Sequence, residues 1–155
     1  LKNIDESCIT SEYLDRLNDL EIVRFSNQRF THHTKEAALQ YISSFLNTNN
    51  LFLGIFSKEN NTMVGTINTF MDSNHGLANI GIMIGELSQW SKGLGRDAWQ
   101  ALMNYLFLDY HLRKITGGTI RPNVGMVRVM ERSGMHLEAE RTKQQVVDGE
   151  AHDVL

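Results

Sequence analysis

The segment Trp90-Ser91-Lys92-Gly93-Leu94-Gly95 carries the residue types and spacing most suited to chemistry in this chain. It lies between an apolar strand-like run and an amphipathic helical run. Glycines at 93 and 95 let a backbone approach a ligand closely, because no Cβ intervenes. A helix start offers unpaired N–H groups and the positive end of the helix dipole, which together suit an anion. Lys92 and Arg96 add positive charge at the same place. A phosphate cradle and a ligand-free tight turn both satisfy this segment taken alone.

Gly93, Gly95 and Ala98 also fit a loose G-x-G-x-x-A dinucleotide pattern, but three features oppose it. Polar residues from Glu86 to Lys92 separate the glycines from the preceding strand. Three strand-like runs come earlier in the chain. The following run, Lys114 to Ile120, ends without an acidic residue for a ribose. The phosphate-loop pattern fails too, since no Gly-Lys-Ser/Thr follows four spacer residues.

Other reactive side chains form no comparable group. The six histidines, His32, His33, His75, His111, His136 and His152, show neither an HExxH pattern nor a CxxC partner, so no metal site is expected. Met126, Met130 and Met135 at helical spacing read as core or cleft wall. Glu86, the carboxylate closest to the loop, reads as a solvated residue, as does His75. Lone Cys8 reads as an inert thiol and fits a reducing, cytoplasmic compartment.

Composition narrows the classes further. The 155 residues carry 15 Lys+Arg against 18 Asp+Glu, a balance that argues against bulk nucleic-acid binding. No apolar run approaches the roughly 20 residues of a membrane helix. No charged-then-apolar leader opens the chain. It begins with Leu1 rather than Met and stops inside a strand-like run, so further residues are expected at both ends.

The elements that must hold the glycine loop follow from changes in apolar period. Leu1 to Ile4 reads as a clipped strand. Tyr13, Leu14 and Leu17 mark a short helix, Asp19 caps another turn through Phe25, and Thr34 caps a helix carrying Leu39, Ile42, Phe45 and Leu46. Leu51–Ser57, Met63–Met71 and Leu77–Gly85, joined by polar turns, predict an antiparallel meander. A helix from the glycine loop runs to about Tyr110, and Lys114 to Ile120 forms the next strand. Asn123 opens a helix that Gly134 ends. Leu137–Val147 and Glu150–Leu155 flank Asp148-Gly149, a strong hairpin signal. The whole predicts one α/β (α+β) domain over residues 1–155 with a mixed sheet.

With these elements in place, the glycine loop resembles the pyrophosphate loop of the Gcn5-related N-acetyltransferases (GNAT), Q/R-x-x-G-x-G/A. It is most similar to the branch containing ribosomal-protein N-terminal acetyltransferases, often W-G-K-G-Y-A. Trp90, Lys92 and Gly93 match, while Ser91 replaces a glycine and Gly95 stands where alanine is common. Asn123-Val-Gly-Met-Val-Arg-Val-Met-Glu-Arg-Ser-Gly-Met135 resembles the family's N-x-A-S-x-R-V-L-E-K-x-G-F, with Met126 and Met135 departing from it. Asn18-Asp19, Thr34-Lys35-Glu36, Glu140-Arg141, Asp148-Gly149 and Asp153 also fall where this branch carries similar residues.

The resemblance implies a mostly antiparallel central sheet of about 6–7 strands flanked by about 4 helices and splayed at a cofactor cleft. It implies acetyl-CoA as cosubstrate, with pyrophosphate on Ser91, Lys92, Gly93, Leu94, Gly95 and Arg96, and the pantetheine arm along Ile82, Met83 and Ile84. Asn123 and Arg128 would complete the cofactor site, although Asn123 equally suits a helix cap. Arg24, Phe25 and Gln28, with Arg29 nearby, would border the acceptor, or else form plain solvated surface. The implied reaction is direct acetyl transfer to a primary amine: a protein N-terminus, an amino sugar or a polyamine. A homodimer is common in similar enzymes. The general base is unassigned. Asn79 stands where relatives often carry Glu, and would position the amine or a water, while Met130 stands where some carry Tyr. These two departures motivate the rival reading, a non-catalytic acyl-CoA-binding or sensing domain.

Overall fold

A computed structural model describes residues 1–155. Short polar caps start its N-terminal helices. The Thr10 hydroxyl accepts from Tyr13 N–H at the head of α1 (Ser11–Asn18), and Asp19 caps α2 (Leu20–Val23) through Glu21 N–H. Thr34 caps α3 (Lys35–Ser43), with Glu36 in the first turn complementing the helix dipole. The apolar spacing predicts this helix as far as Leu46, yet it stops at Ser43. There Ser44 N–H bonds the carbonyls of both Gln40 and Tyr41, and Asn47 turns left-handed.

Five strands form the main sheet in spatial order β1 (Lys2–Asn3), β2 (Phe52–Phe56), β3 (Met63–Asp72), β4 (Leu77–Ile84) and β5 (Lys114–Thr116). All neighbours are antiparallel except β4 and β5. Between the last two runs α4 (Leu94–Leu108), and after β5 comes α5 (Val124–Arg132). A separate hairpin, β6 (Arg141–Val147) and β7 (Glu150–Val154), turns at Asp148 and Gly149. Both turn residues have positive φ, 52° and 82°, as a tight two-residue turn of this hand requires.

The predicted mixed, mostly antiparallel class holds, but the strands divide as five plus two. The cause lies at Gly117 and Gly118. The run predicted as one strand from Lys114 to Ile120 leaves β4 after Thr116. Gly117 passes so close to Trp99 that a Cβ there would sit 3.0 Å from the indole ring. The chain then pairs with the C-terminus instead: Thr119 and Leu155 exchange N–H···O=C bonds of 3.2 and 2.8 Å, and Ile120 bridges Val154.

β4 is packed on both faces, by alternation of its side chains. Ala78 and Ile80 meet Trp99, Leu102 and Leu106 of α4 in the main core. Burying each of those large α4 side chains is worth about 1.5–3 kcal/mol. Met83 packs against the smaller cluster of Ile9, Tyr13, Leu17 and Ala38. A third cluster, Ile120, Val147 and Val154, takes Phe25 against it and so carries the hairpin to the N-terminal helices. No helix is long and apolar enough to cross a membrane.

Candidate functional site

The glycine loop is a row of free donors. Gly93, the N-cap of α4, has φ 87° and ψ −5°, and Ser91 has φ 61°. Left-handed residues on both sides of Lys92 turn successive N–H groups outward, the concave arrangement that binds anions. The backbone N–H groups of Ser91, Gly93, Leu94, Gly95 and Arg96 donate to no acceptor within the protein. Trp90 anchors the loop, its indole Nε1–H donating to the Ile84 carbonyl at 2.8 Å. Lys92 and Arg96 are exposed and make no ion pair, so their charge stands free at the helix start.

The loop leads into a slot. β4 pairs with β5 only over Leu77–Asn79, and from Ile80 onward that edge of β4 has no neighbour. The alternation of the ladder decides which groups face the slot. Gly85 N–H donates to the Val64 carbonyl on β3 at 2.9 Å. Gly81 and Met83 therefore direct their peptide groups to β3, whereas Ile80, Ile82 and Ile84 direct theirs to the open edge. The Ile84 carbonyl meeting Trp90 agrees with this. Met83, predicted beside Ile82 and Ile84 on the cofactor arm, thus has its backbone committed to β3 opposite Thr66, and it enters the cleft by its side chain.

A cleft of about 650 Å³ joins the slot to the N-terminal helices. Its slot end is lined by Ile82, Ile84, Ser91, Gly95, Asn123 and Val129, and its far end by Tyr13, Ile22, Phe25, Gln28, His33 and Tyr41. Asn123 does cap α5: its Oδ1 accepts from Met126 N–H at 3.3 Å and its Nδ2 donates to Thr119 Oγ1 at 3.0 Å, while the residue still lines the cleft. Burial pushes the Tyr13 phenol up to about 12, so it stays a neutral hydroxyl. The His33 ring Nε2 lies 3.1 Å from the Gln28 carbonyl. A carbonyl has no proton to give, so Nε2 donates and Nδ1 keeps the lone pair in the neutral ring. No Asp or Glu lines the cleft.

Several predicted positions are placed elsewhere. Arg24 does not line the cleft; its Nε and Nη2 donate to Asp148 Oδ2 at 3.0 and 2.6 Å. Its neighbour Arg29 donates to the Val146 carbonyl at 3.0 Å, so both arginines brace the hairpin. Arg128 is exposed on α5, outside the cleft, one residue before Val129. Glu86 is tied to Ser88 at 2.8 Å and Arg16 at 2.9 Å, and these contacts hold its carboxyl below the ordinary range. Asn79 Nδ2 donates to Thr116 Oγ1 at 3.1 Å, and the side chain opens into a smaller recess beside the cleft.

Sequence reasoning did not identify Asn68, Thr66, His33 or Thr119 as cleft residues. Asn68 lies across β3 from Gly81, and its Oδ1 would be 3.0 Å from a Cβ at that glycine. The Asn68 side chain makes no hydrogen bond within the protein, so its carboxamide is free. One signal was available: Thr66 and Asn68 are polar at alternate positions of β3 and so share a face, although the buried Thr69 on the other face blurs the pattern.

A row of free backbone donors at one end of a slot between diverging parallel strands, continuous with a larger cleft, is an arrangement suited to a group transferase. A family model for an acetyltransferase (GNAT) domain matches residues 10–136, and the chain belongs to that family of acetyltransferases. It is 24% identical over 151 residues to the probable N-acetyltransferase YjcK of Bacillus subtilis (strain 168), covering 95% of this chain and 83% of that protein. Among solved structures, RimL, a ribosomal L7/L12 alpha-N-protein acetyltransferase in complex with coenzyme A, superposes with a TM-score of 0.85 at 19% identity, over 99% of this chain and 89% of that one. A spermidine N-acetyltransferase from Vibrio cholerae, in complex with CoA and spermine, superposes at 0.79 with 17% identity, over 92% and 83%. These two likenesses establish the fold.

Proposed function

We propose that this acetyltransferase takes acetyl-CoA as its cosubstrate and acetylates a primary amine by direct transfer in a ternary complex. The observation that carries this reading is the row of five unpaired N–H groups from Ser91 to Arg96, opening onto the unpaired edge of β4. A pyrophosphate suits that row, with Lys92 and Arg96 beside it. Arg128, on the neighbouring helix, adds charge for a further phosphate. The peptide groups of Ile82 and Ile84 are free to pair with an amide-bearing arm. An N–H of Ile80 or Ile82 would stabilise negative charge developing on the thioester oxygen, since such donors are fixed before the reaction begins.

The amine enters from the far end of the cleft, past Phe25 and Gln28. Asn79 Oδ1 and the free Asn68 amide lie on the strand face it must cross and orient it or a water. Its proton passes to water or to His33 Nδ1, because no carboxylate reaches the cleft. The lack of acidic lining also bears on the acceptor. The extra ammonium groups of a polyamine would lie there without a counter-charge, so an amine on a neutral or acidic body, such as a protein N-terminus or an amino sugar, fits better.

The absence of a carboxylate at position 79 and across the cleft is also what favours the second reading, a domain that binds acyl-CoA without catalysis. Thiol release from acetyl-CoA across a panel of N-terminal peptides, amino sugars and polyamines separates the two. Stimulation by at least one amine on a neutral or acidic body, but not by spermidine, is expected. CoA binding with no amine raising release above hydrolysis would establish the sensor instead.

A further inference from the structure

A recess of about 250 Å³ adjoins the cleft and shares Phe25, Gly118 and Thr119 with it. Its polar walls come from three distant segments: Asn27 after α2, Asn79 on β4, and Arg141 and Gln145 on β6. Arg141 is exposed and has no ion-pair partner, although Glu140 precedes it and Asp153 adjoins its strand partner Val154. Glu140 and Asp153 both bind Arg121, Asp148 binds Arg24, and Glu138 binds Lys114. No acidic side chain lines the recess. The carboxamides of Asn27 and Gln145 make no hydrogen bond within the protein, so an uncommitted guanidinium and two uncommitted amides face one small volume.

We propose that this recess binds an anionic group of the acceptor, a carboxylate or phosphate, and that the acceptor is a small amine bearing that group. The proposal rests on the acetyltransferase reading of the adjoining cleft. The planar guanidinium fork of Arg141 matches the oxygens of either anion, and the amides of Asn27 and Gln145 supply further donors. Asn79 fixes the spacing. It is the last β4 residue paired with β5, and the slot opens at the next residue, about 3.3 Å along the strand. An anion beside Asn79 and an amine at the slot mouth therefore belong to one short molecule. The nitrogen attacks the thioester carbonyl carbon, the N–C bond forms, the C–S bond breaks, and the thiolate leaves and is protonated by the proton the nitrogen gives up. The anion changes no bond; it positions the amine.

The test pairs acceptors that differ in the anion: β-alanine against β-alaninamide, and phosphoethanolamine against ethanolamine. Thiol release is measured with the full chain and with Arg141→Gln. At least one acid member should exceed its neutral partner in kcat/KM by about tenfold or more, and Arg141→Gln should reduce that ratio by a similar factor with CoA affinity unchanged by calorimetry. The pair that responds distinguishes carboxylate from phosphate. Equal use of both members, or a preference that survives Arg141→Gln, overturns the proposal, as would a preference for peptide N-termini over every acid-bearing small amine. Titrating the CoA-loaded protein with acetate and inorganic phosphate gives a readout that needs no turnover. The Arg141 Nε–Hε resonance, assigned by its loss in Arg141→Gln, should shift with one of them; no shift with either counts against the recess. A shift without turnover of any amine would spare the recess and refute the transferase reading, whereas turnover without acid preference or shift does the reverse.

Discussion

Replacing Gly93 with Val isolates the backbone contribution to cofactor binding. Gly93 has φ 87°, and a Cβ built there meets nothing within 4 Å, so the first side-chain atom of the substitution meets no clash. What it creates is a conformational conflict, because an L-residue in the left-handed region costs about 1–2 kcal/mol and a β-branched one more. The loop relieves that conflict by turning Gly93 out of this region, which re-aims the N–H groups of Gly93 and Leu94. Each hydrogen bond from such a donor to a charged oxygen is worth about 1.5–3 kcal/mol. Losing two is about 3–6 kcal/mol, or roughly a 10²- to 10⁴-fold rise in the Kd for CoA. Gly95→Ala is the matched control. Its Cβ would lie 3.6 Å from Ile84 and 3.9 Å from Val129, ordinary contacts at a residue whose φ is not positive. Calorimetric titration with CoA should show the large loss for Gly93→Val and a change within about threefold, under 1 kcal/mol, for Gly95→Ala. Thermal unfolding should move by only a few degrees in either variant. Gly93→Val binding CoA as tightly as the parent would refute the cradle, and equal losses in both variants would show that crowding rather than backbone conformation governs the loop.

Two further outcomes follow from the strand face and the loop. Asn79→Ala should lower kcat by more than it raises the CoA Kd, since Asn79 opens into the recess and not into the slot; lost turnover with unchanged CoA binding supports its positioning role, and unaltered turnover removes it. Glu86 is held below the ordinary carboxylate value of 4.5 by Ser88 and then Arg16, so the fold favours its ionised form. That stabilisation is present above the unfolded pKa and disappears as pH falls through the folded one. Melting temperature followed from about pH 6 to pH 3 should therefore fall more steeply in the parent than in Glu86→Gln; parallel curves would show that ionised Glu86, through its Ser88 and Arg16 contacts together, contributes nothing to stability.

The parts legible in the sequence are those that local rules dictate. Asp19, Thr34 and Asn123 announce helix starts because a short polar side chain there meets an N–H two or three residues on. Gly134, with φ 81°, closes α5, and Asp148-Gly149 turns the last hairpin. The glycine loop belongs with these, since its donors are set by conformation and not by distant contacts. Failures fall where a remote partner decides. Gly117 and Gly118 permit a bend after Thr116 but do not dictate it; Trp99 against Gly117 and the C-terminal strand against Thr119 do so. Arg24 has the composition of an acceptor ligand, but Asp148, 124 positions away, claims its guanidinium. Arg141 shows the converse: it is left without an ion pair because Glu140 and Asp153 are engaged by Arg121, a property of the folded charge network that sequence order does not reveal.

This asymmetry explains how one fold serves different acceptors. The cofactor end is made of peptide groups on β4 and the start of α4, so most side chains there can change while the donors remain. The acceptor end is made of side chains from the segment after α2, β3, β4 and β6, brought together by the Arg24–Asp148 and Arg29–Val146 braces. A substitution at Asn27, Asn68, Arg141 or Gln145 alters what the amine meets without moving Ile82 or Gly93. A protein acetyltransferase and a spermidine acetyltransferase share this frame, superposing on the chain at TM-scores of 0.85 and 0.79 with less than a fifth of residues identical. On the proposed reading, the slot constrains conformation more than residue identity, because its donors are peptide groups, whereas the acceptor is met by a few side chains on that frame.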